Sequence, residues 1–324
     1  MTRQPSICLP GHWCLREGTH AEEELVMRLT LERRRWLWAY VFIAIPLLFF
    51  LAIRIGPAVY AFWVSLHRWD PIAIDRPFIG IDNYRAMGSD KVFWHAVRNT
   101  FVYVILGVPV SLVLSLGIAL GLQQLLRFVG FFRVLYFIPY VTSLVAVGWV
   151  WRWMYMPNGF FNEVLASIGQ GPLKFLGSPQ TALVSILVVT IWQGLGFQVI
   201  IFLAGLESVP TMYLEAAAVD GASSWQRFRD ITFPLLSPTL VFLLVTGVIS
   251  NLQVFTQIRT MSSGGNGGPL NSTISLVLYV YQLAFQSMPS KMGYASAITF
   301  VLFAIMLLVT LAQLKLFSRN TNDY

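Results

Sequence analysis

Apolar residues fall in six long runs separated by short polar stretches. The runs are Trp38–Leu66, Thr100–Leu122, Val134–Tyr155, Ala182–Leu206, Leu235–Ile258 and Tyr294–Phe317. Each is close to the ~20 residues that a helix needs to cross a hydrocarbon core about 30 Å thick. The runs are continuous rather than alternating, which excludes a β-barrel reading. The pattern predicts an all-α integral membrane protein with six transmembrane helices. A polar N-terminal tail (1–35) precedes a transmembrane domain (36–317), and a short C-terminal tail (318–324) follows it.

Composition agrees. Of 324 residues, 56% are hydrophobic and 11% charged, against about 25% charged in soluble domains. Eleven tryptophans suit belts at the two membrane interfaces. The net charge of +7 comes from residues scattered between apolar runs, so it makes no stripe for nucleic acid. Arg33–Arg35 stand directly before the first run and predict a cytoplasmic N-terminus. Six crossings then return the C-terminus, with Lys315 and Arg319, to the cytoplasm. In that orientation 12 Lys/Arg lie inside and nine outside, with Arg54 within a run. Cys8 and Cys14, with His12 and His20 nearby, form no zinc-ligand spacing.

The most informative polar stretch is the loop 207–237, between the fourth and fifth runs. Pro210 suits the first turn of a helix, and Met212–Val219 are good helix formers, three of them Ala. Asp220-Gly221 can end that helix, since Gly accepts the left-handed cap conformation. Ser223-Ser224-Trp225-Gln226 reads as a capping box that starts a second helix, and Pro234 and Pro238 mark the entry to the fifth run.

This loop resembles the signature of the permeases of binding-protein-dependent ABC importers, in their sugar-transport branch. The signature is Glu-Ala-Ala, three residues, Gly, nine residues, Ile-x-Leu-Pro. Glu215-Ala216-Ala217 is followed by Gly221 and, after nine residues, by Ile231-Thr232-Phe233-Pro234. Phe233 replaces the signature Leu. Asn83-Tyr84, Trp192-Gln193-Gly194, and Gly267-Gly268-Pro269 with Thr273 and Tyr281 also look like family landmarks, and the resemblance covers 36–317. It implies that the loop is a coupling helix docked on a cytoplasmic ATPase, through Glu215, Ala216, Ala217, Asp220, Gly221, Ile231 and Pro234. It implies a homologous second permease subunit, two ATPase subunits and an extracytoplasmic substrate-binding protein, in a bacterial inner membrane. The bland alternative is that Leu214, Ala217 and Ala218 only cover inner helix ends.

The chain itself lacks catalytic patterns. Its lysines are Lys91, Lys174, Lys291 and Lys315, none after a Gly, so no phosphate loop exists and Gly264–Gly268 is not one. ATP and Mg²⁺ belong to partner subunits, and this chain is expected to hold no cofactor and to be no enzyme.

Polar residues inside spans mark either a pathway or helix-to-helix hydrogen bonds. The fifth run carries Ser250, Asn251, Gln253, Phe255, Thr256 and Gln257, and a continuous helix would put Ser250, Gln253 and Gln257 on one face. Uncharged amides beside aromatic rings suit a neutral sugar or polyol, and the resemblance places a sugar site near here. Both readings stand for these residues, while Gln193 and Gln198 read as interhelical. Arg54 and Arg259 become candidates if the cargo is anionic, such as a glycerol phosphate; a disaccharide such as maltose or trehalose is the first expectation. Thr273–Phe285 predicts a helix in the outer loop, and His67 and His95 read as structural. A stand-alone secondary transporter is disfavoured because no Asp or Glu lies inside a span, and a membrane enzyme because no catalytic constellation appears.

Overall fold

The computed structural model describes residues 17–124 and 129–321, with side chains over 33–124 and 130–317. Cys8, Cys14, His12, Arg127 and the side chains of His20 and Arg319 lie outside them. Among the described residues the structure is helical, with one isolated bridge between His67 and Phe78 and no strand.

Two compact units divide at Ala61. In the first, α1 (Glu17–Phe50) runs from the polar tail into the first apolar run. Pro57 has no N–H to give the Ile53 carbonyl, and the turn before it, Leu51–Ile55, widens to a π-helix that carries Arg54. Helix α2 (Gly56–Ser65) follows and passes into the second unit.

The second unit contains α3 (Asp82–Met87), α4 (Lys91–Gln123), α5 (Val129–Val141), α6 (Leu144–Met154), α7 (Phe160–Ser167) and α8 (Pro179–Glu207). It continues with α9 (Thr211–Val219), α10 (Ser224–Leu235), α11 (Ser237–Leu252), α12 (Thr256–Met261), α13 (Leu276–Tyr281) and α14 (Met292–Thr321). Among the described residues four unbroken helices are long and apolar enough to cross a membrane: 33–65, α4, α8 and 292–317. Two bent pairs, α5/α6 at 95° and α10/α11 at 64°, bring the number to as many as six.

The third and fifth runs are therefore not the continuous helices that hydropathy alone predicts. Pro139 gives no hydrogen bond to the Leu135 carbonyl, and Ser143 turns extended with ψ 123°. In the fifth run the helix ends at Leu252, and Phe255 lies at φ −138°, ψ −59°. Side chains there take backbone partners: Asn251 Nδ2 donates to the Gly247 carbonyl at 2.9 Å and Ser275 Oγ to that of Val254 at 2.6 Å. The Ser275 bond occupies the Val254 carbonyl where the helical ladder is interrupted.

Helices α4 and α8 form the centre. Helix α5 lies against α8 where Gly196 meets the Tyr136 backbone so closely that a Cβ would sit 2.0 Å from its carbonyl oxygen. Buried Tyr103, Phe202, Ile186, Leu243 and Ile298 fill the space between helices.

Helix α4 begins nine residues before the apolar run because Asp90 caps it. Asp90 Oδ1 accepts from the amides of Val92 (2.9 Å) and Phe93 (3.2 Å). Its Oδ2 accepts from Tyr279 Oη at 2.6 Å and Tyr294 Oη at 2.7 Å, so one carboxylate ties α4 to α13 and α14. Burial opposes the charge, but the hydrogen bonds from the two tyrosines and two amides outweigh it and hold the carboxyl below its ordinary range. A depressed folded value means that the stabilisation is present above the unfolded value and is lost as pH falls through the folded one. Asp90→Asn should lower the melting temperature at neutral pH. The gap to the wild type should close as the pH drops below about 4, read by thermal unfolding across a pH series.

Candidate functional site

Two features gather the polar residues: an exposed helix pair at one end of the second unit and a cavity between its helices.

The helix pair follows α8. Pro210 is the N-cap of α9, one position before the predicted first turn. Asp220 caps its C-terminus, and Gly221 follows at φ +82°. The amide of Ala222 donates to the Ala217 carbonyl (2.9 Å) and that of Gly221 to Ala218 (3.2 Å), a Schellman closure in which left-handed backbone favours Gly. Ser223 and Gln226 then form the expected capping box. A π turn, Phe228–Thr232, contains Ile231 and leads to Pro234. Nothing in α9 is buried. Glu215, Ala216, Ala218, Asp220 and Gly221 are exposed, and Leu214, Ala217, Ile231 and Pro234 are half-buried. Val219 is 88% and Trp225 67% exposed. Helix α9 thus half-buries Leu214 and Ala217 and leaves Met212, Tyr213, Ala218 and Val219 exposed. At its base Glu207 pairs with Arg133 of α5.

The cavity holds about 740 Å³ between α4, α8, α11 and α12, with Tyr140 of α5 on one wall. Ser250, Asn251, Gln253, Phe255 and Gln257 all line it. They meet there through the break after Leu252, not along one helical face. Gln193 and Gln198, read from sequence as interhelical, line it too. Both are hydrogen-bonded across helices: Gln198 Nε2 donates to Ser111 Oγ at 3.2 Å, and Gln257 Nε2 to Gln193 Oε1 at 3.3 Å. Gln253 Nε2 faces Met306 Sδ at 3.2 Å. Asn251 Oδ1 is buried with no hydrogen-bond partner among the described residues and packs against Gly107.

Sequence reasoning missed Tyr140 and Phe197, whose rings stack at 5.1 Å and 19° on the cavity wall. They come from different apolar runs, where no spacing links them. No lining residue is charged. Arg259 is used elsewhere: its Nη1 donates to the carbonyls of Gly265 (2.9 Å) and Gly264 (3.3 Å), and its guanidinium lies over Tyr281. Just after the glycine-rich segment, the Asn271 and Ile274 carbonyls accept from Asn99 Nδ2 of α4. Beyond it, the helix expected over Thr273–Phe285 is α13 with a π turn to Gln286, buried through Leu276, Leu278 and Leu283. His67 is buried, its Nδ1 2.8 Å from the Trp63 carbonyl, while His95 is exposed. Among the described residues no three His, Cys, Asp or Glu side chains gather around one point.

Residues 99–322 match the family described as the inner membrane component of binding-protein-dependent transport systems. The chain belongs to this family. As a permease component it is 36% identical over 286 residues to the probable ABC transporter permease YesP of Bacillus subtilis (strain 168), covering 87% of this chain and 91% of that one. It is 34% identical over 266 residues to the trehalose/maltose transport system permease MalF of Thermococcus litoralis, covering 82% and 88%. Its fold also matches a chain of a bacterial ABC transporter involved in the import of the acidic polysaccharide alginate. There the TM-score is 0.76 at 24% identity, over 90% of this permease and 99% of that chain.

Proposed function

We propose that this permease forms, with a homologous second permease, the path for an uncharged sugar, in the first instance a disaccharide. An extracytoplasmic binding protein delivers the cargo and two separate ATPase subunits power the passage. The observation that carries this reading is the pairing of the two features above. A cavity walled by uncharged amides and aromatic rings is continuous, through α10 and α11, with a helix none of whose residues is buried among the described residues. The sugar cargo of the trehalose/maltose relative supports the substrate class. An anionic cargo such as glycerol phosphate fits less well, since the lining offers no cation and Arg259 is engaged with backbone carbonyls.

In this reading each bent pair is one crossing, giving six. Both termini and the loop 207–237 face the cytoplasm, as Arg33–Arg35 favour. Glu215, Ala216, Ala217, Asp220, Gly221, Ile231 and Pro234 form the surface that meets the ATPase. ATP-driven closure of the ATPase pair moves that surface and reorients the helices around the cavity.

Co-expression with candidate ATPase, partner permease and binding protein tests this. The ATPase should co-purify with the chain, and sugar-loaded binding protein should stimulate ATP hydrolysis in proteoliposomes. Uptake driven by an ion gradient without the ATPase would overturn the reading.

A further inference from the structure

A second pocket, of about 330 Å³, lies at the opposite end of α8 from the exposed helix pair. Three helices end around it: α6 two residues beyond Arg152, α12 at Met261, and α8 beginning five residues after Lys174. Helix α8 has 29 residues and so measures about 44 Å. That is close to the ~40–45 Å of a bilayer with its headgroups. The pocket therefore stands at the level of a headgroup layer.

Its construction is rigid. Tyr155 stacks on Phe175 at 4.9 Å and on Phe161 at 5.2 Å. Buried Asn162 staples the loop from both sides, with Nδ2 donating to the Met156 and Leu173 carbonyls and Oδ1 accepting from the Leu173 amide at 2.8 Å. Thr181 Oγ1 donates to the Lys174 carbonyl at 2.7 Å.

Its chemistry is unlike that of the central cavity. Arg152 and Lys174 both line it, no carboxylate does, and neither cation forms an ion pair among the described residues. The remaining wall is mainly apolar. Around it Trp149, Trp153, Met156 and Leu173 are exposed. On α7 and its cap, Phe160, Val164 and Ile168 make an exposed apolar stripe at four-residue spacing. Exposed tryptophans beside an apolar helical stripe suit an element lying in the interface.

We propose that this pocket seats an anionic phospholipid from the leaflet at this end of the bundle. The headgroup phosphate sits between Arg152 and Lys174, and an acyl chain runs along Met156 and Leu173. Two cations facing an apolar wall match a ligand with one anionic end and one hydrocarbon end. A soluble anion would leave the wall uncovered, and a neutral sugar would give neither cation a counter-charge, since Arg152 meets an uncharged carbonyl of Thr260 at 3.4 Å and the Trp149 ring rather than a carboxylate.

The test uses the assembled, delipidated transporter in detergent, titrated with dioleoyl phosphatidylglycerol or dioleoyl phosphatidylcholine, with bound lipid counted by native mass spectrometry. The wild type should retain phosphatidylglycerol in preference to phosphatidylcholine. Arg152→Gln and Lys174→Gln should each weaken phosphatidylglycerol binding about fivefold, leaving phosphatidylcholine unchanged. Leu173→Glu, which adds a carboxylate at the rim, should expel phosphatidylglycerol. If the Arg152 variant fails to assemble, the exposed Lys174 variant decides alone. Equal retention of the two lipids by the wild type, or unchanged phosphatidylglycerol binding in the variants, would overturn the proposal. Displacement of the lipid by millimolar inorganic phosphate would also overturn it, because the acyl chain would then contribute nothing.

Discussion

Gly221→Val should leave the chain inserted and assembled yet reduce binding-protein-stimulated ATP hydrolysis and sugar uptake about tenfold or more. The argument is local. Gly221 sits at φ +82° with open space around its Cα, so a side chain meets no clash with a neighbour. The penalty is conformational: left-handed backbone costs an L-residue about 1–2 kcal/mol, and more for a β-branched one. Valine would be driven toward negative φ. That would break the paired bonds from Gly221 and Ala222 to Ala218 and Ala217 and change the direction in which Ser223 starts α10. Neither helix is buried enough to restore that angle by packing. Gly221→Asp should fall between wild type and valine, because Asp visits this region more readily. The check is hydrolysis and uptake in proteoliposomes beside a membrane-fraction blot. Normal coupled turnover in the valine variant would sink the idea that a fixed angle transmits the stroke.

The cavity supports the second large effect. Gln257→Ala removes an amide that reaches the cavity and also its bond to Gln193 Oε1. Asn251→Ala removes a buried carbonyl oxygen that has no hydrogen-bond partner among the described residues. A site that hydrogen-bonds a hydroxyl-rich ligand loses about 0.5–1.5 kcal/mol per neutral bond, so each variant should weaken apparent sugar affinity about three- to tenfold. Basal hydrolysis should stay near wild type in both. Uptake measured against sugar concentration separates affinity from assembly. Unchanged affinity and selectivity in both variants would assign these amides to helix packing alone.

Much of this molecule is legible in the sequence, and the limits have physical causes. The loop around Gly221 is readable to within one residue because its geometry rests on local interactions: a cap, a left-handed glycine, a reciprocal Ser–Gln pair. Hydropathy found every apolar run, since lipid and core select for the same residues. It misjudged the third and fifth runs because hydropathy measures composition and a bend is made by individual hydrogen bonds. Pro139 lies inside the third run, where hydropathy alone gives a proline no weight. The Ser275–Val254 bond joins residues 21 apart and has no local signature. The amides of the fifth run line one cavity because the helix stops there, not because they share one side of it. Tyr140, Phe197 and the tie of Asp90 to Tyr279 and Tyr294 depend on tertiary contact, which no periodicity encodes.

The break after Leu252 has one more implication. The wall of the cavity is two short rods with an unwound joint between them. The lower rod, α11, is joined to α10 across a 64° bend. The upper, α12, packs on α6, where Arg152 Nη1 reaches the Thr260 carbonyl. A single stiff rod would have to swing both ends at once, opening one mouth as it shut the other about a fixed pivot. A jointed wall can shift its lower half while the upper half stays sealed. In the proposed cycle both mouths of the cavity can then be closed together before either opens, which would keep the membrane sealed during transport.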